Sequence, residues 1–166
     1  MVVRFSKSRN GAVLTCIRPD GSQTWSRLRD PFAYHDLLHY AVEATLEICD
    51  GFFGLIAAGR SIDSFSAPAA GGALPPVAGQ VEFVVGLIQA ELADGRRDED
   101  FCKTLTRACS NAGVAPLPGL TSAGLDAIHE LAARLIERWQ TLPNGGHMDL
   151  EFPAFAAEAR RRPRSV

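Results

Sequence analysis

Two histidines four residues apart are the feature of this sequence best suited to chemistry. His35 and His39 lie in the segment HDLLHYAVE, together with two carboxylic acids, Asp36 and Glu43. On a helix, residues four apart project from the same side one turn apart, which is the spacing of helical histidine pairs that bind zinc or iron. A neighbouring carboxylate can also fix a neutral imidazole as an acid–base group. We therefore predict His35, Asp36, His39 and Glu43 as candidate catalytic residues.

The pair is expected to lie between the apolar and the polar face of its helix. With about 100° of rotation per residue, the residues Leu38, Val42 and Leu46 form an apolar stripe, and both histidines fall beside it. A pocket rimmed by polar groups would lie along that border. We therefore predict that both rings face a partly enclosed polar pocket, with Asp36 or Glu43 within hydrogen-bond reach of one imidazole.

A metal ion at this pair requires a third ligand from another part of the chain. Glu43 lies about 12 Å beyond His35 along the helix axis, at 1.5 Å per residue. One ion is therefore not expected to bind His35, His39 and Glu43 together. His129 is a candidate because it lies on the core-facing stripe of a later helix, and Glu82 is another because it flanks the apolar stripe of its own helix. We predict a divalent metal such as zinc, with His35, His39 and His129 as ligands.

Two known sequence patterns share part of this segment, and neither fits it. Zincin metalloproteases carry His-Glu-x-x-His with glutamate as general base, whereas Asp36 stands in the glutamate position here. HD-type phosphohydrolases pair a His-Asp dyad with an upstream histidine, whereas no histidine precedes His35. Two functions therefore stay open. One is a small enzyme or metal-binding protein, and the other is a non-catalytic interaction domain, forming a homodimer, in which these residues make a structural polar network.

The elements that must position these residues are predicted to form an α+β domain with a small antiparallel sheet. Alternating residues at 2–8, 12–18 and 23–28 predict three strands. Since Asn10-Gly11 and the turn after Pro19 separate them by only a few residues, neighbouring strands are expected to pair antiparallel. Residues 147–152 alternate in the same way. We predict that this last strand joins the N-terminal sheet.

About four helices are expected to cover the apolar face of the sheet. Asp30-Pro31 supplies an N-cap and a first-turn proline for the first helix, which is predicted to run to about Cys49. The other three are expected to end near Gly95, near Gly113 and before Pro143. The segment 51–54 is predicted to form a tight helix–helix turn with aromatic packing.

Length, charge and composition limit the classes of function. The chain of 166 residues suits a single domain over 1–166, and its 17 basic and 19 acidic residues argue against nucleic-acid binding. No apolar run of about 18 residues is present to span a membrane. The lack of a signal peptide and of Cys-x-x-Cys spacing predicts a cytoplasmic protein with four buried, reduced cysteines. Composition also predicts a flexible loop at 66–76 and a disordered basic tail at 158–166.

Overall fold

Four strands and six helices make up the part of the chain that the computed structural model describes, which comprises residues 1–29, 32–66 and 72–153. The strands are β1 (Val2–Ser8), β2 (Gly11–Ile17), β3 (Gln23–Leu28) and β4 (His147–Glu151). The helices are α1 (Phe32–Thr45), α2 (Phe52–Ala57), α3 (Asp63–Ser66), α4 (Pro76–Asp94), α5 (Phe101–Asn111) and α6 (Ser122–Thr141). The predicted α+β class is confirmed, and the two helices beyond the predicted four are the short α2 and α3.

The strands form one antiparallel sheet in the order β3-β2-β1-β4. In the register of this sheet, Phe5 of β1 lies opposite Leu14 of β2 on one side and Met148 of β4 on the other. A hydrogen bond of 2.8 Å from the amide of Phe152 to the carbonyl of Met1 extends the pairing beyond β4. The prediction that the last strand joins the N-terminal sheet is therefore confirmed.

One face of the sheet is buried beneath the helices. Alternate residues of β1 and β2 point into the core and are fully buried: Val3, Phe5, Leu14 and Cys16. Helix α1 packs against both α4 and α6, so that three of its polar residues are enclosed. Asp36, His39 and Glu43 are only 8%, 3% and 0% exposed.

Tyr40 fixes α1 against the C-terminal strand. Its hydroxyl donates a hydrogen bond of 2.8 Å to the carbonyl of Glu151. Its ring makes edge contacts with Phe53 and Phe152, at centroid distances of 6.0 Å each. Because Tyr40 lies next to His39 in the chain, these contacts also set the rotation of α1 about its axis at the histidine pair.

Helix α1 ends earlier than predicted, at Thr45 instead of about Cys49. Glu47 adopts a left-handed conformation with φ of 54°, and the amide of Ile48 donates to the carbonyl of Glu43 over 3.0 Å. This is the hydrogen bond of a Schellman ending, in which a left-handed residue stops the helix. Glycine usually holds that position, so the glutamate gave no sequence signal for the ending.

The prediction that all four cysteines are buried is wrong. All four are free thiols, but only Cys16 and Cys109 are buried, while Cys49 is partly buried and Cys102 is exposed. Cys102 follows directly after the buried Phe101, and a step of about 100° around the helix places it outside the buried side of α5.

Several predicted segments lie partly or wholly outside the described residues. Of the loop predicted at about 66–76, Ser66 belongs to α3, Pro76 begins α4, and residues 67–71 are not described. The helix start at Asp30-Pro31 and the tail at 158–166 also lie outside the described parts. Within those parts, no helix is both long enough and apolar enough to cross a membrane.

A candidate metal centre between α1 and α4

The two histidines of α1 meet a carboxylate of α4 at the packing contact between these helices. The Nε2 atoms of His35 and His39 lie 3.1 Å apart. The carboxylate of Glu82 lies 3.2 Å from Nε2 of His39 and 3.6 Å from Nε2 of His35. The i,i+4 spacing brings the rings together as expected, and the third group comes from the neighbouring helix.

The separations within this cluster match those of atoms that share one metal ion. Metal–ligand distances of about 2.0 to 2.2 Å place neighbouring ligand atoms of a tetrahedral zinc site about 3.3 to 3.6 Å apart, close to the 3.1 to 3.6 Å of this cluster. In the described part of the chain, His35, His39 and Glu82 are the one group of three metal-ligating residues whose ligand atoms all lie within 4.8 Å of one another. Two imidazoles and a carboxylate are a common donor set for divalent transition metals.

The outer nitrogen of each ring is held by a hydrogen-bond acceptor. Nδ1 of His39 lies 3.3 Å from Oε1 of Glu43, and Nδ1 of His35 lies 3.1 Å from Oε1 of Gln89. Both acceptors favour a hydrogen on Nδ1, which leaves Nε2 of each neutral ring with its lone pair directed into the cluster. This is the arrangement by which outer-shell groups orient histidine ligands in metal sites.

Glu43 is itself held by the first turn of α2. Its Oε2 accepts a hydrogen bond of 3.1 Å from the amide of Gly54, one of the amides at a helix start that have no partner within the helix. Gly51 lies against the same carboxylate, since a Cβ atom built there would come within 2.6 Å of Oε2. The glycines of the predicted tight turn therefore enclose the carboxylate that orients His39.

Opposed effects of burial and charge set the protonation of His39. Burial lowers its pKa, but hydrogen bonds to Glu43 and Glu82 and the charges of both carboxylates outweigh burial and raise the pKa to about 9. The hydrogen bond from His39 lowers the pKa of Glu82. Burial and the positive charge of His39 both lower the pKa of His35. The metal-free cluster at neutral pH therefore pairs an imidazolium at His39 with carboxylates, beside a neutral His35.

Asp36 is buried beside the cluster but is not among the residues that meet there. Loss of hydration raises the pKa of its carboxyl group to about 7, against the opposing effect of the charge on His39. Burial, followed by the charge of Asp36, raises the pKa of the Cys16 thiol to about 12. Asp36 therefore acts electrostatically on a core residue of β2 as well as on His39, and of the two predicted carboxylates it is Glu43 that reaches an imidazole.

His129, the predicted third ligand, lies in a different cluster. Its Nε2 is 2.6 Å from Oε2 of Glu91, and its Nδ1 is 2.9 Å from the carbonyl of Leu125. The other carboxylate oxygen of Glu91 accepts a hydrogen bond of 2.7 Å from the amide of Asp98. His129 thus links α6 to α4 and is not part of the group formed by His35, His39 and Glu82.

Solvent reaches the candidate centre from the α4 side. The side chain of Glu82 is 57% exposed and that of His35 is 28% exposed, whereas His39 is 3% exposed. The ring of Phe52 borders the buried side, with its centroid 5.6 Å from that of His39. A cation held by the three side chains would therefore have protein on one side and water on the other.

Comparison with known proteins adds no relative. No protein-family model matches the chain, and neither a curated protein nor a solved structure does. A functional assignment for this chain therefore depends on the geometry of His35, His39 and Glu82 and on the groups that hold them.

Proposed function

We propose that the protein binds one divalent transition-metal ion, most simply zinc, through Nε2 of His35, Nε2 of His39 and the carboxylate of Glu82. The observation that carries this proposal is the convergence of two imidazoles and a carboxylate: the two Nε2 atoms lie 3.1 Å apart, and Oε1 and Oε2 of Glu82 lie 3.2 Å from His39 and 3.6 Å from His35. The outer nitrogens of both rings already have acceptors. Outer-shell acceptors on both rings are typical of metal sites.

Three protein ligands and an exposed side favour a catalytic metal over a structural one. Structural zinc sites are closed by four protein ligands, whereas catalytic sites leave a position for water or substrate. A bound zinc ion would supply a water molecule of lowered pKa, which is the nucleophile of hydrolytic metalloenzymes. We therefore propose hydrolase-like chemistry at this centre, with the exposed Glu82 on the side from which substrate enters.

Zinc titration of the metal-free protein tests the proposal. The protein should be made without an affinity tag, treated with a chelator and titrated with Zn²⁺ against a competing chromogenic chelator. We expect one equivalent to bind, and His35→Ala, His39→Ala and Glu82→Ala should each abolish stoichiometric binding. His147→Ala is the matched control, because His147 is an exposed histidine of β4 and should bind as the wild type does. Absence of stoichiometric binding in the wild type would overturn the proposal.

A structural polar network is the second candidate, and one observation favours it. His39 already has a carboxylate within 3.3 Å on each side, Glu43 at Nδ1 and Glu82 at Nε2, so the cluster satisfies itself without a metal. In that case the protein is a non-catalytic interaction domain or homodimer. The zinc titration would then show no site, His39→Ala would lower the free energy of unfolding, and sedimentation would report the oligomeric state.

A further inference from the structure

We propose that Glu43 and Gly51 are positioning residues for the metal centre, and that they control its affinity by fixing the tautomer of His39. This inference rests on the proposed function, since it concerns the same ion. It adds that the start of α2 decides whether His39 can act as a ligand, although α2 itself supplies none.

The first step of the argument is the double engagement of the Glu43 carboxylate. The side chain is 0% exposed, its Oε2 accepts from the amide of Gly54 over 3.1 Å, and its Oε1 faces Nδ1 of His39 over 3.3 Å. An ionised carboxylate only accepts hydrogen bonds. His39 must therefore donate from Nδ1. When an incoming cation displaces the second ring proton, the lone pair becomes free at Nε2, the atom that faces Glu82 and His35.

The second step is that the carboxylate can occupy this place only because residue 51 has no side chain. A Cβ atom at Gly51 would lie 2.5 Å from Cδ and 2.6 Å from Oε2 of Glu43. The backbone of Gly51, with φ of −85° and ψ of −167°, is extended and open to any residue. Glycine is therefore needed here for the position of the Glu43 carboxylate, not for the conformation of the chain.

The third step distinguishes a carboxylate from an amide of the same shape. In Glu43→Gln the side-chain oxygen is expected to keep the hydrogen bond from Gly54, because an NH₂ group there would face the N–H of that residue. The NH₂ group then faces Nδ1 of His39 and donates to it. His39 is driven to carry its hydrogen on Nε2, where it blocks coordination.

Zinc affinity in matched variants tests this inference. We expect Glu43→Gln and Gly51→Ala to weaken Zn²⁺ binding about 10- to 100-fold, although neither change touches a ligand. Gly79→Ala is the control: Gly79 is an exposed glycine of α4, and nothing lies within 4 Å of an added Cβ. Its affinity should stay within about twofold of wild type.

A spectroscopic measurement separates tautomer control from general loosening of the fold. In metal-free Glu43→Gln, a long-range ¹H–¹⁵N spectrum should show His39 protonated at Nε2 and unprotonated at Nδ1. Wild-type affinity in both Glu43→Gln and Gly51→Ala would overturn the inference and leave the metal site intact. Failure of the wild type to bind Zn²⁺ would instead overturn the proposed function, so the two failures are distinguishable.

Discussion

Replacement of Asp36 by asparagine tests the electrostatics of α1 directly. Loss of hydration raises the pKa of this carboxyl group from 3.8 to about 7. Because the folded pKa lies above the unfolded one, the contribution of Asp36 to stability is fully present below about pH 4 and is lost as the pH rises through 7. A shift of about three units corresponds to a free energy on the order of 4 kcal/mol, at 1.36 kcal/mol per unit. Asp36→Asn should therefore raise the free energy of unfolding at pH 8 by up to that amount and leave it nearly unchanged at pH 4.

Denaturant unfolding between pH 4 and pH 9, with a chelator present, measures this effect. The fluorescence of the buried Trp139 reports unfolding, and Asp94→Asn, at an exposed position of α4, is the control that should not change the pH profile. Loss of stability in Asp36→Asn at pH 8 would refute the reasoning, because it would mean that the folded protein stabilises an ionised Asp36. A metal-bound or catalytic role for this carboxylate would then need to be considered again.

Three further predictions concern His39, His129 and Gly54. The pKa of His39 is about 9 in the folded protein against 6.5 for a free histidine. Its contribution to the free energy of unfolding, on the order of 3 kcal/mol, should therefore be present below about pH 6.5 and lost as the pH rises through 9. Unfolding of the metal-free wild type and of His39→Asn checks this, and the same pH dependence of the free energy of unfolding in both proteins would contradict it. His129→Ala removes the imidazole partner of the buried Glu91 carboxylate, which keeps only its hydrogen bond from the amide of Asp98. The free energy of unfolding should fall by about 1–3 kcal/mol, and an unchanged value in urea would show that the pair is not important for stability. Gly54→Ala would bring a Cβ atom against the backbone carbonyl of Cys49 and should cost at least about 2 kcal/mol, seen as a lower Tm; an unchanged Tm would show that α2 can move freely.

Most of the sheet could be predicted from the sequence because its signals are local. The dipeptide Asn10-Gly11 marks the first turn, and alternation at 147–152 marks a strand whose apolar residues need a buried face. The end of α1 could not be predicted in the same way. It depends on a left-handed Glu47, a residue type that rarely holds this position.

The third member of the cluster could not be chosen from the sequence because α4 carries a glutamate toward each of its two neighbouring helices, the exposed Glu82 toward α1 and the buried Glu91 toward α6. Glu82 and Glu91 are nine residues apart, and nine steps of about 100° place them on opposite sides of the helix. One edge faces the histidines of α1, and the other faces His129 of α6. Which edge meets which histidine depends on the order in which the helices pack, and periodicity within one helix does not contain that order. Gln89, seven residues after Glu82 and thus on the same side, is the signal that could have favoured the α1 side.

The role of Glu43 beside His39 could not be predicted for a different reason, because the second hydrogen bond of its carboxylate comes from a backbone amide. The sequence predicts that Asp36 or Glu43 reaches an imidazole and does not choose between them. The second oxygen of Glu43 accepts from the amide of Gly54, and an amide is present at nearly every position of any sequence. The sequence signal for this contact is the glycine at position 51, because a Cβ atom there would displace the carboxylate of Glu43. The segment Gly51-Phe52-Phe53-Gly54 is predicted as a tight turn with aromatic packing, whereas in the structure helix α2 begins at Phe52. Phe52 contacts the ring of His39, the amide of Gly54 donates to the Glu43 carboxylate, and the missing Cβ of Gly51 leaves space for that carboxylate.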